Sequence, residues 1–223
     1  MLSVIVPVYN EEKHIQSFLD QLVSLIEESS KVEVIFVDGG SADNTVEICK
    51  ANNFNILKSP KRGRANQMNF GAQFATGEVL YFLHSDSIPP NNFIQKINEQ
   101  IQIGVDAGCF RLAFNPSTFL LNVYAWFSRF NIVFFRFGDQ SLFVKKSIFE
   151  KVGEFNSELM VMEDQQIVRD IKKHGRFRVL KPKITTSSRK YMTVGVVKLQ
   201  VIFVIIVFMY YLGCSQNTIV KFY

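Results

Sequence analysis

Short apolar runs alternate with segments of helical periodicity through the first 88 residues of the chain. Continuous runs rich in β-branched and aromatic residues at 2–8, 32–37, 54–57 and 79–83 predict four buried strands. Apolar residues at three- and four-residue spacing predict helices over 15–26, 44–51 and 65–75, the second capped by Asp43 or Asn44. Strands that alternate with helices across short loops are typical of βαβ units. We therefore expect an α/β fold with a mainly parallel sheet flanked by helices.

The second half of the chain is less regular. It predicts strands at 107–114, 142–144, 177–180 and 184–186, and helices over 89–103, 148–152 and 163–174, the last ended by Gly175. Residues 118–137 contain Trp126 and six phenylalanines, and they predict an aromatic helix.

Near the C-terminus, residues 201–212 are twelve uninterrupted apolar residues. A membrane-spanning helix needs about 20 such residues, so this run is short for a span. Two interpretations remain open. The run forms a buried or oligomer-forming helix, or it lies in a membrane interface with help from Lys190, Lys198 and Lys221.

The composition narrows the possible classes of protein. Hydrophobic residues make up 48% of the chain and charged residues 20%, which is typical of a globular protein and excludes a disordered one. The net charge of +5 suits an anionic ligand or an anionic membrane surface, but it lacks the density of a nucleic-acid-binding protein. Three scattered cysteines indicate neither a zinc site nor a disulfide framework, and the N-terminus lacks the basic region of a signal peptide. We expect a cytoplasmic protein.

Polar side chains follow the predicted strands at the places where these strands end. They are Tyr9, Asn10 and Glu11 after the first strand, Asp38 after the second, and His84, Ser85 and Asp86 after the fourth. Ligands of parallel α/β sheets bind at this edge. A basic loop at 61–64 precedes the third helix, and acids beside arginine suit a divalent cation that bridges a diphosphate.

Each of the candidate acids also has a purely structural interpretation. Asp38 precedes two glycines and can shape a turn, and Asp86 can cap a helix. Glu163 and Asp164 begin a predicted helix, where acids complement the helix dipole.

Six segments together resemble a known family. They read VIVPVYNEE at 4–12, VDGGSADNT at 37–45, GRANQMNFGA at 63–72, LHSD at 83–86, GDQ at 138–140 and MED at 162–164, with Arg169 following. In this order they resemble family 2 glycosyltransferases with the GT-A fold, and small bacterial stand-alone members in particular. The resemblance implies a GT-A domain over 1–190, with a nucleotide-binding half at 1–88 and an acceptor half at 89–190. An apolar helical tail would then occupy 191–223.

The resemblance also implies a reaction and roles for individual residues. It implies an inverting hexosyl transfer from a nucleotide diphosphate-sugar, with uridine as the expected nucleoside, to an acceptor hydroxyl. Asp164 would be the catalytic base with Glu163 beside it, Asp86 and His84 would bind Mn²⁺ or Mg²⁺, and Arg64 would bind the phosphates. The residues expected to line the nucleoside pocket are Pro7, Tyr9, Glu11 and Asp38. The aromatic helix would line the acceptor cleft.

Departures from the family pattern keep other functions open. His84 stands where the family's metal-binding motif has its first acid, and Asp38 stands without a second acid beside it. The alternatives are a sugar-phosphate nucleotidyltransferase and a non-catalytic relic that binds nucleotides or associates with a membrane. The acceptor is unknown, and a lipid-linked one is among the expectations. The apolar tail would then mediate peripheral contact at the inner face of the membrane, or a homodimer.

Overall fold

A computed structural model describes residues 1–26 and 31–222. Within these residues one eight-stranded sheet has the order β3-β2-β1-β4-β7-β6-β8-β5. The strands are β1 Leu2–Val8, β2 Val32–Asp38, β3 Asn55–Lys58, β4 Val79–Phe82, β5 Ser87–Ile88, β6 Ala107–Asn115, β7 Leu142–Lys145 and β8 Phe177–Ser187. The helices are α1 Glu12–Ile26, α2 Thr45–Ala51, α3 Arg64–Phe74, α4 Phe93–Gln102, α5 Phe119–Phe127, α6 Lys146–Lys151, α7 Glu163–His174, α8 Arg189–Val194, α9 Val196–Tyr211 and α10 Gln216–Val220.

The first four strands form the predicted parallel unit. β1 pairs in parallel with β2 and β4, and β2 pairs in parallel with β3. Helix α3 packs so closely on this unit that a Cβ atom on Gly71 would lie 2.6 Å from a side-chain carbon of Ile5. Gln67 of the same helix donates from Nε2 to the carbonyl oxygens of Val8 (2.9 Å) and Val37 (2.7 Å). This amide holds the ends of β1 and β2 together and fixes the edge at which the polar residues lie.

Antiparallel strands enter the sheet in its second half. β7 pairs antiparallel with both β4 and β6, whereas β6 and β8 are parallel. The two short strands predicted at 177–180 and 184–186 are one strand, β8, because its pairing with β6 resumes after Lys181 and Pro182 are skipped. Proline has no backbone N–H to donate, so the chain bulges at this point rather than ending the strand.

The aromatic segment at 118–137 is helical only over its first half, so the prediction of one continuous helix was wrong. Helix α5 ends at Phe127, and the buried guanidinium of Arg136 then binds the carbonyl oxygens of Ser128 (2.7 Å) and Phe130 (2.5 Å). These carbonyls belong to residues that follow the helix and make no intrahelical hydrogen bond, and Arg136 satisfies them. The segment therefore folds back through two short 3₁₀ turns instead of extending the helix.

Three helices, α8, α9 and α10, form the C-terminal part of the chain, and only Tyr223 of the predicted tail at 191–223 lies outside the described residues. Helix α9 buries only Leu199, Ile206 and Val207, so it is not a fully buried helix. Among the described residues, no helix has the length and apolar character needed to cross a bilayer.

Candidate active site

Three side chains that are able to bind a metal converge at the carboxyl edge of β4. Candidate ligand atoms of His84, Asp86 and Asp139 all lie within 4.8 Å of one another, and His84 Nδ1 is 3.8 Å from Asp139 Oδ1. His84 and Asp86 follow β4, whereas Asp139 lies in a 3₁₀ turn that leads into β7. Because β7 pairs antiparallel with β4, the start of β7 lies beside the end of β4.

The charges of these groups are mutually dependent. Burial and the negative charge of Asp139 raise the pKa of Asp86, and His84 and Arg64 only partly oppose this. Burial and Arg64 lower the pKa of His84, but the carboxylates of Asp139 and Asp164 outweigh them, so its pKa is raised. Two carboxylates held this close repel each other, and a cation between them would remove that repulsion.

The composition of the cluster fits a divalent cation. Two carboxylates suit hard ions such as Mn²⁺ and Mg²⁺, and a neutral imidazole is a poorer ligand for Mg²⁺ than for transition metals. The set of His84, Asp86 and Asp139 therefore fits Mn²⁺ better than Mg²⁺.

A pair of acids begins α7 beside this cluster. The side chain of Glu163 is 3% exposed and that of Asp164 is 21% exposed. Arg64 contacts both, with Nε 3.6 Å from Glu163 Oε1 and Nη1 3.7 Å from Asp164 Oδ2. Burial, followed by repulsion from Asp164, raises the pKa of Glu163 to about 7. Of the two acids, Asp164 is the one that faces the cleft as an accessible carboxylate.

Gly138 lies between the acid pair and the metal-type cluster. A Cβ atom at this position would overlap Asp164 Oδ2 and would lie 2.6 Å from Cε1 of His84. The absence of a side chain here allows a carboxylate from α7 and the imidazole from the β4 edge to approach each other. The two groups of residues therefore adjoin at Gly138 and form one site.

The residues predicted to contact a nucleoside lie along the ends of β1 and β2. Asp38 is buried, and its carboxylate accepts hydrogen bonds from the backbone N–H groups of Gly40 (3.0 Å) and Ser41 (3.0 Å), so it shapes the turn. Tyr9 is half exposed with the guanidinium of Arg62 5.9 Å from its ring centroid.

Glu11 and Pro7 are the other two residues predicted for the nucleoside pocket. Glu11 Oε2 is 3.7 Å from Nη2 of Arg189. Burial raises the pKa of Glu11, and this arginine partly opposes the shift. Pro7 is partly buried in the register of β1 opposite Val37 of β2.

One cleft of about 440 Å³ contains most of these groups. Its polar end is lined by Arg64, His84, Asp86, Asp139, Glu163 and Asp164. Its other end is lined by aromatic and aliphatic side chains of α5, of the turns after it and of α9. The predicted aromatic wall thus lies where expected, although only part of it is helical.

The structure separates the predicted site residues into two groups. Arg64, His84, Asp86, Glu163 and Asp164 line the cleft, whereas Pro7, Tyr9, Glu11 and Asp38 lie outside its lining. The interpretation of Asp86 as a helix cap was wrong, since the next helix begins at Phe93. Sequence reasoning missed Asp139, although the GDQ motif that contains it was one of the recognised segments.

Comparison with solved structures places the fold. The chain is similar to S. aureus TarS, crystallised in complex with UDP-GlcNAc, with a TM-score of 0.69 and 22% identity over 84% of this chain and 58% of that one. It is equally similar to the mannosyltransferase PcManGT from Pyrobaculum calidifontis, in complex with GDP-Man and Mn²⁺, with a TM-score of 0.69 and 22% identity over 85% and 57% of the chains. The predicted GT-A fold is confirmed.

Comparison with curated proteins gives relatives of the same kind. Glycosyltransferase GlyG of Streptococcus pneumoniae is 33% identical over 108 residues, which are 46% of this chain and 35% of GlyG. Glycosyltransferase AglE of Haloferax volcanii is 36% identical over 101 residues, which are 43% of this chain and 33% of AglE. The matched region spans about a third of the length of these relatives.

The family model described as glycosyl transferase family 2 matches residues 3–153. This range contains the parallel unit, the metal-type cluster and Arg64, and it covers more than half of the chain. The family predicted from the six motifs is confirmed, and the chain belongs to glycosyl transferase family 2.

Proposed function

We propose that this protein is an inverting glycosyltransferase that moves a sugar from a nucleotide diphosphate-sugar to a hydroxyl group of an acceptor. The observation that carries the proposal is the junction at Gly138, where a cleft-facing carboxylate adjoins a cluster of cation-binding type. The carboxylate can accept the proton of a hydroxyl nucleophile, and a cation held by the cluster can neutralise the charge of a diphosphate. Both lie in one cleft that is large enough for a sugar.

Asp164 is the proposed general base. Its carboxylate removes the proton of the acceptor hydroxyl while that oxygen attacks the anomeric carbon of the donor sugar. The bond between the anomeric carbon and the diphosphate oxygen breaks on the opposite face, and the diphosphate leaves with the electron pair. A single displacement of this kind inverts the anomeric configuration. General-base assistance is worth typically about 10²–10⁴-fold in rate.

Arg64 and Glu163 support this base in the proposed reaction. Arg64 lies within 3.7 Å of both acids, so it orients Asp164 and places a positive charge next to the leaving group. Because the buried Glu163 has a pKa near 7, a proton on it reduces the repulsion that Asp164 experiences.

His84, Asp86 and Asp139 are the proposed cation ligands. A divalent ion bound there would neutralise the charge that develops on the diphosphate. Arg64 adds a fixed positive charge on the same side of the cleft.

The nucleoside is proposed to bind against Tyr9 and Asp38, with uridine as the expected base. Tyr9 offers an exposed ring for stacking, and Asp38 keeps lone pairs beyond those that bind Gly40 and Ser41. On this proposal residues 1–88 form the nucleotide-binding half and 89–190 the acceptor half. The protein would act in the cytoplasm.

Ligand-dependent thermal stabilisation tests the donor proposal directly. The protein is melted with UDP, GDP, CDP or ADP, each with and without Mn²⁺, and a ligand at 100 times its Kd stabilises the fold by about 2.7 kcal/mol. We expect stabilisation by UDP that increases with Mn²⁺, and slow release of UDP from a UDP-sugar. Asp164→Asn should abolish this release and leave UDP binding intact. Stabilisation by none of the nucleotides would overturn the proposed function.

A further inference from the structure

Helix α9 lacks the polar outer side that a surface helix normally has. Among its sixteen residues only Lys198 and Gln200 carry a charge or an amide. Val197, Val201 and Phe208 are nevertheless 58%, 51% and 59% exposed. A helix that packs on a protein core and faces water is expected to be polar on its outer side. The exposed apolar side chains of α9 therefore remain uncovered within the described residues.

Helix α5 adds a second exposed apolar surface beside the same cleft. Phe119 is 81% exposed and Trp126 is 45% exposed. Three of the exposed large hydrophobic residues also line the cleft: Phe127, Phe137 and Val204. The apolar surface therefore begins inside the cleft and continues onto the outside of the molecule. Exposed apolar surface of this extent marks a binding site for a protein, a membrane or a ligand.

The two segments that carry this surface have charged residues of one sign. Residues 171–223 contain ten of the 25 Lys and Arg residues and none of the 20 Asp and Glu residues. Residues 107–138, which include α5, likewise contain no acid, and their charged residues are Arg111, Arg129 and Arg136. An apolar surface carried by segments whose charged residues are all basic is complementary to an anionic lipid bilayer.

The cleft itself has a polar end and an apolar end. Its polar end holds the proposed base, and its apolar end contains Tyr124, Phe134, Phe203 and Ile206. Lys190 lines the cleft, where its charge lowers the pKa of Asp139 and its ammonium lies 5.8 Å from the ring centroid of Phe203. A small, fully polar acceptor would leave this apolar end unused, whereas an amphiphile would fill both ends.

We propose that the acceptor is a membrane lipid. Its hydroxyl-bearing headgroup lies at the Asp164 end of the cleft and its hydrocarbon chain lies along the apolar end, while α5 and α9 rest on the anionic bilayer that supplies it. The acceptor part of this proposal rests on the proposed function, whereas the docking of α5 and α9 on lipid does not.

Trp126 provides a direct probe of docking because it is the only tryptophan of the chain. The full-length protein is mixed with vesicles of phosphatidylcholine alone or with about a third phosphatidylglycerol. We expect a blue shift of the Trp126 emission and flotation with the anionic vesicles, both weakened by salt. Val201→Asp on the exposed side of α9 should weaken partitioning at least about tenfold. Ile103→Asp, at an equally exposed apolar residue after α4, is the matched control and should partition as the unchanged protein does.

A soluble amphiphile tests the cleft separately from the bilayer. Dodecyl glucoside below its micelle concentration should bind at least about tenfold more tightly than methyl glucoside, because burial of each CH₂ group is worth about 0.8 kcal/mol. Phe203→Ala should reduce this difference, and Ile103→Asp should not. Equal binding of the two glucosides would overturn the lipid acceptor.

Other outcomes would overturn the docking surface. The proposal fails if neither kind of vesicle shifts the Trp126 emission, or if Ile103→Asp loses as much partitioning as Val201→Asp. It also fails if sedimentation shows a dimer that Val201→Asp dissociates and that does not bind vesicles, since a second copy then covers α9. Binding of UDP with Mn²⁺ to the same variants is measured in parallel. Loss of vesicle binding with nucleotide binding intact would refute the surface and leave the proposed donor site standing.

Discussion

Gly138 lies so close to the carboxylate of Asp164 that a Cβ atom on the glycine would overlap Asp164 Oδ2. The same atom would be 2.6 Å from Cε1 of His84. The close approach of the proposed base and the proposed cation site therefore depends on glycine, the smallest residue, at position 138.

Gly138→Ala should displace Asp164 and lower kcat by about 100-fold, the cost of misplacing a catalytic group by about 1 Å. Binding of UDP in the absence of metal should change little, because Tyr9 and Asp38 lie outside the cleft lining. Steady-state kinetics and a UDP titration measure the two effects. The thermal stability lost in Gly138→Ala should be partly recovered in the background of Asp164→Ala, which removes the overlap with Asp164 but not the one with His84. If Gly138→Ala has full activity, the proposed contact has no catalytic role.

Glu163→Gln should change the pH dependence of the free energy of unfolding. Glu163 has a folded-state pKa of about 7 against a usual 4.5, because burial and the charge of Asp164 favour its neutral form. Between these two values the folded protein holds a proton that the unfolded chain has released, so stability falls as the pH rises through this window. Glutamine stays neutral. The variant should therefore match the unchanged protein below about pH 4.5 and exceed it by up to ~3 kcal/mol above pH 7.

Urea unfolding across that range of pH measures the difference. Glu158→Gln removes an exposed glutamate from the preceding loop and controls for the loss of one negative charge. A difference between Glu163→Gln and the unchanged protein that does not vary with pH would contradict the assignment of a raised pKa to Glu163.

The residues that follow the predicted strands could be identified from the sequence, because local patterns encode where those strands end. Tyr9, Asp38, His84 and Asp86 each follow a continuous apolar run, and the rule that parallel strands end at one edge places them at the same edge of the sheet. Asp139 follows an aromatic segment without clear periodicity. Its position depends on the antiparallel pairing of β7 with β4, which is a long-range contact that no local pattern encodes.

The errors of prediction have a similar origin. Arginine is normally exposed, so nothing local indicates that Arg136 is buried and binds the carbonyls that end α5. Hydrophobic periodicity likewise identifies α9 as apolar but does not show what covers it. Whether such a helix packs in the core, on lipid or on a second copy depends on the space that the other elements leave.

Removal of one proposed cation ligand should weaken the effect of metal on nucleotide binding. Asp139→Asn should lower the apparent affinity for Mn²⁺ in the presence of UDP by at least about tenfold, since loss even of an outer-sphere partner typically has such a cost. His84→Asp should increase the effect of Mg²⁺ on UDP binding relative to the effect of Mn²⁺, because a carboxylate is a better ligand for Mg²⁺ than an imidazole is. Calorimetric titrations with each metal measure both effects. Asp20→Asn, an exposed acid on α1, is the control. Unchanged Mn²⁺ affinity in Asp139→Asn would exclude Asp139 from the cation site.

The C-terminal helices hold the loop that precedes the proposed base. Gln216 of α10 accepts hydrogen bonds at Oε1 from the backbone N–H groups of Met160 (3.0 Å) and Val161 (3.2 Å). Tyr211 at the end of α9 lies with its hydroxyl 3.4 Å from Oε1 of Gln165, the residue after Asp164. These bonds fix the chain on both sides of the acid pair at the start of α7.

Gln216→Ala should therefore lower kcat several-fold and leave the KM for the donor nearly unchanged, because the loop at 160–162 loses its anchor while the donor pocket is not touched. A carboxylate can accept the same two hydrogen bonds, so Gln216→Glu should restore most of the rate. Asn217→Ala, at the exposed neighbouring position, is the matched control and should have the original rate. Steady-state kinetics of the unchanged protein and the three variants distinguish a positioning role from a loss of stability. A variant that is only destabilised would lose active protein, and glutamate at position 216 would not specifically restore the rate. Equal losses in Gln216→Ala and Gln216→Glu would contradict a positioning role for this side chain.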